Sequence, residues 1–321
     1  MLGAIFIGGV LTVIGKAMNG ISASASPDLF ANIEEKTIIK GNDKRVAHID
    51  LEGIITNSTA RGGTSMVEDF QRLINKAIAD DKVVAIVVRI NSPGGEVTAS
   101  DLLHRTVQQA DAKKPVIAYM DSIAASGGYY TACGARKILA HPTTLTGSIG
   151  VIMQSVSYHQ LMEKVGMGVQ VYKSGKFKDM LSGSRPTTAE ESAYVNAMVR
   201  QTYDRFLDVV SASRKKSVDE LRDSDLADGR VYSGKDALAT GMVDGNGYID
   251  DAYAGAMSAA GVQNATVVRY QLRQGLFDSL HLFGQAAANS GKVELDVSDR
   301  LLPRLQPGVG YYLHLPAAAQ P

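Results

Sequence analysis

The chain has 321 residues, of which 45% are hydrophobic and 21% are charged, the composition of a globular protein. Its 33 basic and 33 acidic side chains give a formal net charge of zero, so no overall basic field favours nucleic acid as a partner. The single cysteine, Cys133, excludes an internal disulfide and a cysteine-rich metal site. The six histidines show no metal-ligand spacing, so we expect neither a metal nor a cofactor.

The N-terminal residues predict a membrane segment. Residues 1–15 are almost entirely apolar, but a spanning helix needs about 20 apolar residues, and the run nears that length only past a snorkelling Lys16. We assign residues 1–20 to an uncleaved membrane anchor. A cleaved signal peptide is the alternative, because small residues suited to cleavage follow at 22–26. Residues 21–43 are mixed and polar and are predicted to be a linker.

The elements after the linker alternate between strand and helix. Residues 45–51 and the β-branched run 83–90 predict strands of a parallel sheet, the second covered on both faces. Between them, Ser65 and Glu68 have the spacing of a capping box and begin a helix. This order, continued along the chain, predicts an α/β domain over residues 44–260.

The second half of that domain is predicted to contain a strand at 169–173 and a long helix. The spacing of Thr187 and Glu190 is that of a second capping box at the start of the helix. Residues 261–321 are assigned to an extension of unclear structure. The apolar stripe of the long helix is expected to pack in the core and comprises Val195, Val199, Thr202, Phe206 and Val209.

A serine among very small residues is the first candidate for chemistry. Ser126 lies just after the predicted buried strand 115–120, where the chain is expected to turn into a helix. A serine nucleophile needs a hydroxyl at a sharp bend, free backbone amides beside it and an unobstructed approach. A capping serine at a tight strand-to-helix turn would have the same neighbours. The stretch by itself leaves both interpretations open.

A glycine pair, Gly94 and Gly95, follows the neighbouring predicted strand. Sites in parallel sheets gather at the C-terminal ends of the strands, so one glycine loop could supply Ser126 and the other a backbone amide. An isolated Pro-Gly-Gly is usually only a turn. Two such loops, at the ends of neighbouring predicted strands, favour a catalytic site over two unrelated turns.

Four segments together carry a family resemblance: residues 91–95, 125–130, 146–151 and 173–179. They resemble, in order and spacing, the signal peptide peptidase A family of bacterial serine proteases in its short, single-domain form. The similarity covers residues 45–260. It implies a crotonase-like or Clp-protease-like α/β fold of repeated strand-helix units after an N-terminal apolar helix, with a Ser-Lys catalytic dyad.

The same resemblance implies a role for each site residue. Ser126 matches the nucleophile and Lys178, the second lysine of residues 175–179, matches the general base. A lysine base must be uncharged, which burial or nearby positive charge would favour. The remaining roles are Ser148, which positions the lysine amine, and the backbone amides of Gly127 and Gly95, with Gly94 as the next choice, which bind the oxyanion. We expect Gly95→Val to reduce turnover without unfolding the protein.

The family also implies partners and a location. Its substrates are apolar, chiefly signal peptides left in the membrane after secretion, and its members assemble as homo-oligomers. With the anchor, this predicts a single-pass protein of the cytoplasmic membrane with an extracytoplasmic catalytic domain. A protease acting on membrane-associated partners such as stomatin-like proteins is an alternative, as is a crotonase-type acyl-CoA enzyme, although no paired glutamate lies near the glycine loops to support the latter.

Two further hypotheses remain. A catalytically silent membrane scaffold could keep the same fold, but the complete set of site residues argues against it. The C-terminal tail contains Tyr311, Tyr312 and Leu313, followed by small residues, and resembles a cleavable peptide. We therefore consider that the tail could occupy an active site and be trimmed, against the simpler expectation of a frayed terminus.

Overall fold

The computed structural model describes residues 30, 32–58 and 64–273, together with the backbone of 311–313. The chain divides into two compact units, residues 1–32 and 33–321, and the second contains all the strands and helices below. The predicted anchor lies outside the described residues. Within the described part of the chain, no helix is both long enough and apolar enough to cross a membrane.

The unit is built on a mixed sheet in which parallel pairs dominate. Its strands, with two that pair apart from it, are β1 (Ile33–Ile39), β2 (Arg45–Glu52), β3 (Val83–Ser92), β4 (Gly94–Glu96), β5 (Val116–Ala125), β6 (Lys137–Ala140), β7 (Leu145–Gly147), β8 (Val231–Ser233), β9 (Gly245–Asn246), β10 (Thr266–Leu272) and β11 (Tyr311–Leu313). The order is β1-β10-β2-β3-β5-β6-β9, with β7 pairing with both β5 and β8, while β4 and β11 pair with each other.

Helices connect and cover these strands. They are α1 (Met66–Ala79), α2 (Val97–Asp111), α3 (Gly127–Ala132), α4 (His159–Lys164), α5 (Ala189–Arg214), α6 (Val218–Arg222), α7 (Gly234–Ala239) and α8 (Ile249–Ala259), with a 3-10 turn at Asp225–Ala227. The capping box predicted for α1 is confirmed, because the Ser65 side chain accepts from the Glu68 amide and the Glu68 side chain accepts from the Ser65 amide. The alternation of strands and helices confirms the α/β class predicted from the sequence.

The central strand β3 is covered on both faces, as its β-branched sequence predicts. Ala85 and Val87 lie in a core cluster with Tyr253 of α8. The alternate residues, such as Ile86 and Val88, are equally buried and point to the opposite face. Helices α1 and α3 contact β3, so the strand lies within an α/β core.

The sheet extends beyond the boundaries that the sequence predicts at residues 43 and 260. The predicted linker contains β1, which pairs antiparallel with β10. The predicted extension contributes β10 itself, which lies parallel to β2. β1 is an exposed edge strand with mostly polar side chains, so its sequence carries no burial pattern. Only the pairing with β10 reveals it as a strand.

Three predictions for the region before and within α5 are wrong. Residues 169–173 form no strand. The capping box of α5 is Thr188 with Glu191, one residue later than predicted. The predicted core stripe is buried only in its second half, at Phe206 and Val209. The first half of α5 does not pack against the core, so its apolar residues are not buried within this chain.

Candidate active site

Ser126 lies at a sharp elbow between a strand and a helix. β5 ends one residue before it and α3 begins one residue after it. Its backbone has φ 53° and ψ −114°, a conformation that side-chain-bearing residues rarely adopt. A strained strand-turn-helix of this kind presents the nucleophilic serine in the α/β-hydrolase fold. The local geometry therefore favours a nucleophile over an ordinary capping serine, and the Ser126 side chain makes no cap hydrogen bond.

The Ser126 hydroxyl is buried and makes no hydrogen bond to the described residues. The residue is 1% exposed, and its Oγ has no hydrogen-bond partner among the described residues. Its backbone is firmly held, since its N–H donates to Gly147 O at 2.8 Å and its carbonyl accepts from Tyr130 N at 2.8 Å. A buried polar atom without a partner costs stability. A residue whose backbone is fixed by hydrogen bonds while its buried side chain has no partner is characteristic of a functional site.

The two glycine loops meet beside this elbow. A Cβ built on Gly127 would lie 3.2 Å from Gly95 N and 3.2 Å from Gly94 Cα. The Gly127 amide belongs to the first turn of α3, whose amides have no acceptor within the helix. Two backbone donors from separate strand ends are thus adjacent to Ser126, which is the arrangement that an oxyanion requires.

Of the two candidates in the first loop, Gly95 has the better placed amide. The Gly94 N–H donates to Ser92 Oγ at 3.1 Å, so it is already engaged. Gly94 has φ 100°, a conformation that glycine adopts freely and other residues do not. Gly94 therefore shapes the loop, and Gly95 remains the donor that the geometry favours.

The expectation that Gly95→Val would leave the fold intact is wrong. A Cβ on Gly95 would lie 1.9 Å from the carbonyl oxygen of Ile55. Ile55 pairs with Gly95 as a parallel bridge and is fully buried, so the backbone there has no room to move. Any side chain at position 95 would separate the loop from its support.

Ser148 lies at the end of the neighbouring strand. β7 runs parallel to β5 with Gly147 opposite Ala125, so Ser148 and Ser126 each follow a paired residue at the same edge of the sheet. Ser148 also has a positive φ, of 50°, and its N–H donates to Arg230 O at 2.7 Å. The two serines thus follow adjacent strands, and both have a positive φ.

Lys178, the predicted base, forms no hydrogen bond with the Ser126 hydroxyl in the part of the chain that the structure describes. It is exposed, on a loop before α5. It lines a surface cavity with Met153, Met180 and Met198, and none of these belongs to the elbow. Within the described residues, the Ser126 hydroxyl has no lysine partner. The exposed Lys178 amine and the buried Ser126 hydroxyl are therefore not hydrogen-bonded to each other within one chain.

The loop that carries Lys178 is ordered by an ion-pair cluster. Arg185 binds the Asp179 carboxylate through Nη2 at 2.6 Å and Nε at 2.9 Å, and Lys173 adds a third contact at 2.7 Å. These hydrogen bonds, from Arg185 first, hold the pKa of Asp179 well below its usual range. Arg185 also binds Glu191 of the α5 capping box. The carboxylate next to Lys178 is therefore occupied by other cations.

A buried aromatic layer, formed by Tyr129, Tyr130 and His104, lies next to the Ser126 elbow. Tyr129 donates its hydroxyl to Met242 O at 2.8 Å. Tyr130 stacks edge-on against His104 at 5.3 Å between ring centroids and donates to Asp101. Burial lowers the pKa of His104 to about 4, so this ring is neutral beside the tyrosine. Both tyrosines are fully buried and fix the start of α3.

Sequence reasoning missed three residues that support the site. Ser92 binds the Gly94 amide, Ile55 pairs with Gly95, and Ser100 Oγ lies 2.4 Å from where a Gly127 Cβ would be. Ser92 lies two residues before Gly94 in the same loop, and that proximity is the one signal that the sequence offers. Ile55 and Ser100 reach the site only through the fold.

Comparisons with known proteins identify the family of the chain. Residues 108–263 match the family described as Peptidase family S49. A protein of Enterococcus faecium named as a signal peptide peptidase SppA is 33% identical over 278 residues, covering 84% of this chain and 79% of the relative. The chloroplastic serine protease SPPA of Arabidopsis thaliana is 37% identical over 239 residues, 73% of this chain and 35% of the relative.

A third relative is Protease 4 of Salmonella typhi, which is 33% identical over 227 residues, covering 70% of this chain and 36% of the relative. The family resemblance carried by the four short segments is thereby confirmed. Peptidase names recur among the relatives, and the strand-end glycine loops lie inside a mostly parallel α/β sheet. The chain belongs to peptidase family S49, among the signal peptide peptidase A proteins.

Proposed function

We propose that the chain is a serine endopeptidase that uses Ser126 as nucleophile and Lys178 as general base. The observation that carries this proposal is the Ser126 elbow: a buried hydroxyl without a partner, on a strained backbone, beside the amides of Gly95 and Gly127. The proposal includes the crotonase-like or Clp-protease-like fold implied by the resemblance, with which a mostly parallel sheet of strand-helix units is consistent.

The proposed reaction is acyl transfer through an ester. Lys178, in its neutral form, takes the proton of Ser126 Oγ as the oxygen attacks a peptide carbonyl. The amides of Gly95 and Gly127 donate to the developing oxyanion. Lys178 then protonates the leaving amine, and water releases the acyl group by the reverse sequence. Ser148, at the neighbouring strand end, holds the lysine amine in place.

We further propose that the dyad forms between copies in a homo-oligomer. The segment that carries Lys178 is flanked by large apolar residues in water: Tyr172 is 90% exposed, Val156 77% and Leu161 65%. Apolar surface of this kind marks a protein interface. If a second copy covers this segment, burial of the Lys178 amine would favour its neutral form.

Single substitutions test the dyad. Ser126→Ala and Lys178→Ala are each expected to abolish cleavage of casein and of a signal-peptide substrate, while the fold is retained. Lys176→Ala is the matched control, because Lys176 is a nearby exposed lysine paired with Glu190, and it should retain activity. Activity of Ser126→Ala equal to that of the unaltered protein would refute the dyad.

Mixing the two inactive variants tests the oligomer. A dyad formed between copies predicts that co-assembled Ser126→Ala and Lys178→Ala chains regain activity, because about a quarter of the interfaces in a random ring would join an intact serine to an intact lysine. A dyad formed within one chain predicts no recovery. Mixed Ser126→Ala and Lys176→Ala chains, which contain both intact residues in one subunit type, serve as the positive control.

The proposed substrates are apolar peptides, chiefly remnant signal peptides at the cytoplasmic membrane, with an extracytoplasmic catalytic domain. Membrane-associated partner proteins are the alternative. A competition assay with a purified signal peptide and a stomatin-like protein as substrates would separate the two. Faster cleavage of the stomatin-like protein would reject the signal-peptide assignment but leave the dyad standing.

A further inference from the structure

The acidic side chains near Lys178 all bind other cations. Residues 173–191 contain four basic and three acidic side chains. Each acid is paired, and the pairs are Asp179 with Arg185 and Lys173, Glu191 with Arg185, and Glu190 with Lys176. Lys178 is the one basic residue of this segment whose amine forms no ion pair with a described residue. The charges of the segment are therefore balanced without Lys178.

Asp179 is the acid that bears most directly on Lys178, because it is the next residue and lines the same surface cavity. The other side chains that line this cavity carry no charge and are Met153, Met180, Leu181, Ser182, Val195 and Met198. A nearby carboxylate stabilises the protonated form of an amine, whereas a general base must be unprotonated to accept a proton. The Asp179 charge therefore opposes the proposed role of Lys178 unless another cation neutralises it.

Arg185 occupies both oxygens of the Asp179 carboxylate. Its Nη2 donates to Oδ1 at 2.6 Å and its Nε donates to Oδ2 at 2.9 Å, the two-point geometry in which a guanidinium group binds a carboxylate most strongly. Lys173 Nζ adds a contact to Oδ1 at 2.7 Å. The bonds from Arg185, followed by that from Lys173, hold the pKa of Asp179 well below its usual range. The carboxylate is thus ionised, and its charge is taken up by cations other than Lys178.

Arg185 is itself held at the start of α5. Its Nη1 donates to Glu191 Oε2 at 3.0 Å, and the same oxygen accepts the Thr188 amide at 2.9 Å in the capping box. The Glu191 side chain is only 4% exposed, so this anchor is buried. The helix therefore fixes the position of Arg185, and Arg185 fixes the carboxylate next to Lys178.

We propose that Arg185 is a positioning residue of the catalytic base: it keeps the Asp179 carboxylate from pairing with Lys178, so that the lysine amine can give up its proton. The proposal rests on the proposed function, in which Lys178 is the base. In this arrangement the Asp179 carboxylate ties the Lys178 loop to α5, and Arg185 prevents the same negative charge from retaining the proton on Lys178.

A charge-removing substitution and its rescue test the proposal. Arg185→Met keeps the aliphatic stem but frees the Asp179 carboxylate, so Lys178 would stay protonated up to a higher pH. We expect the acid limb of the kcat/KM profile to move about one pH unit higher, with about tenfold lower activity at pH values below it. Arg185→Met/Asp179→Asn removes both charges and should return the limb to its position in the unaltered chain.

Lys176→Met is the matched control, because it also removes one positive charge from the loop. Lys176 and Glu190 are 67% and 62% exposed, so solvent screens their pair, and the acid limb should not move. An unmoved limb in Arg185→Met overturns the proposal. A double variant as impaired as Arg185→Met overturns it too, because the defect would then be a loss of loop structure and not an uncompensated charge.

Chemical labelling of the Lys178 amine keeps the test independent of catalysis. In the Ser126→Ala background, acetic anhydride modifies unprotonated amines, and mass spectrometry measures the extent of acetylation at Lys178 against pH. The midpoint should rise by about one pH unit with Arg185→Met and return with the added Asp179→Asn. An unchanged midpoint, or one that Asp179→Asn does not restore, overturns the proposal. The expected labelling changes in a protein that shows no peptidase activity before the Ser126→Ala substitution would reject the proposed function and leave the role of Arg185 standing.

Discussion

A methyl group added at Gly127 separates the packing role of this glycine from its proposed catalytic role. The Cβ of Gly127→Ala would lie 2.4 Å from Ser100 Oγ and 3.2 Å from Gly95 N. The first contact is a clash with a side chain that can be removed. The second places a methyl group where the oxyanion would accept its hydrogen bonds. The single variant should therefore lose both stability and activity.

The magnitudes of the two effects differ. Overpacking of a rigid core costs about 1–3 kcal/mol, and Ser100→Ala removes the atom responsible. Ser100→Ala by itself gives up the hydrogen bond from Ser100 Oγ to Glu96 O at 2.9 Å, which costs about 1 kcal/mol. Loss of one oxyanion donor lowers kcat by roughly 100-fold to 1,000-fold. Ser100→Ala would not restore kcat, because it does not remove the methyl group from the position of the oxyanion.

The assay compares the unaltered chain, both single variants and the double variant. Thermal unfolding should show Gly127→Ala as the least stable, with much of the loss recovered in Gly127→Ala/Ser100→Ala. Peptidase kcat should stay low in the double variant and near normal in Ser100→Ala. Recovery of kcat together with stability would refute the oxyanion assignment of Gly127, because the defect would then be packing alone.

The remaining predictions concern the layer under the elbow and the loop that carries Lys178. The folded chain holds the pKa of His104 at about 4 against an ordinary 6.5, so the unfolded chain binds the extra proton and stability rises with pH between these values, by on the order of 3 kcal/mol. Urea unfolding at pH 4.5 and 7 should show this rise, and His104→Gln should lack most of it. Glu191→Gln should speed amide exchange in residues 173–188, because Arg185 loses one of its two carboxylate partners and the lost partner is buried. Glu190→Gln removes only the exposed ion pair with Lys176 and should have a much smaller effect on the same amides.

Much of the core was predictable because it is encoded locally. The β-branched run of β3 predicts a strand that is buried on both faces. The capping box of Ser65 and Glu68 starts α1 through contacts only three residues apart. Both features depend on neighbours in sequence, so the amino-acid order suffices to find them.

Edges and protruding segments were less predictable because their structure depends on distant partners. β1 is exposed along all but its first residue and lacks a buried apolar pattern, and it forms a strand by pairing with β10, more than two hundred residues away. The stripe on α5 has helical periodicity along its length, yet only its second half meets a core. Periodicity reveals an apolar face but not what covers it.

The sequence by itself determined which residues carry the chemistry that we propose: a serine among glycines, a second glycine loop one strand away, and a family resemblance that the comparisons confirm. Only the tertiary structure decided how these residues meet. The fold places Gly95 against Gly127, engages Gly94 with Ser92, leaves the Ser126 hydroxyl without a hydrogen bond to Lys178 and pairs residues 311–313 with β4. The physical reason is that pairing between strands far apart in the chain is set by the packing of the whole sheet, which no local pattern of residues encodes.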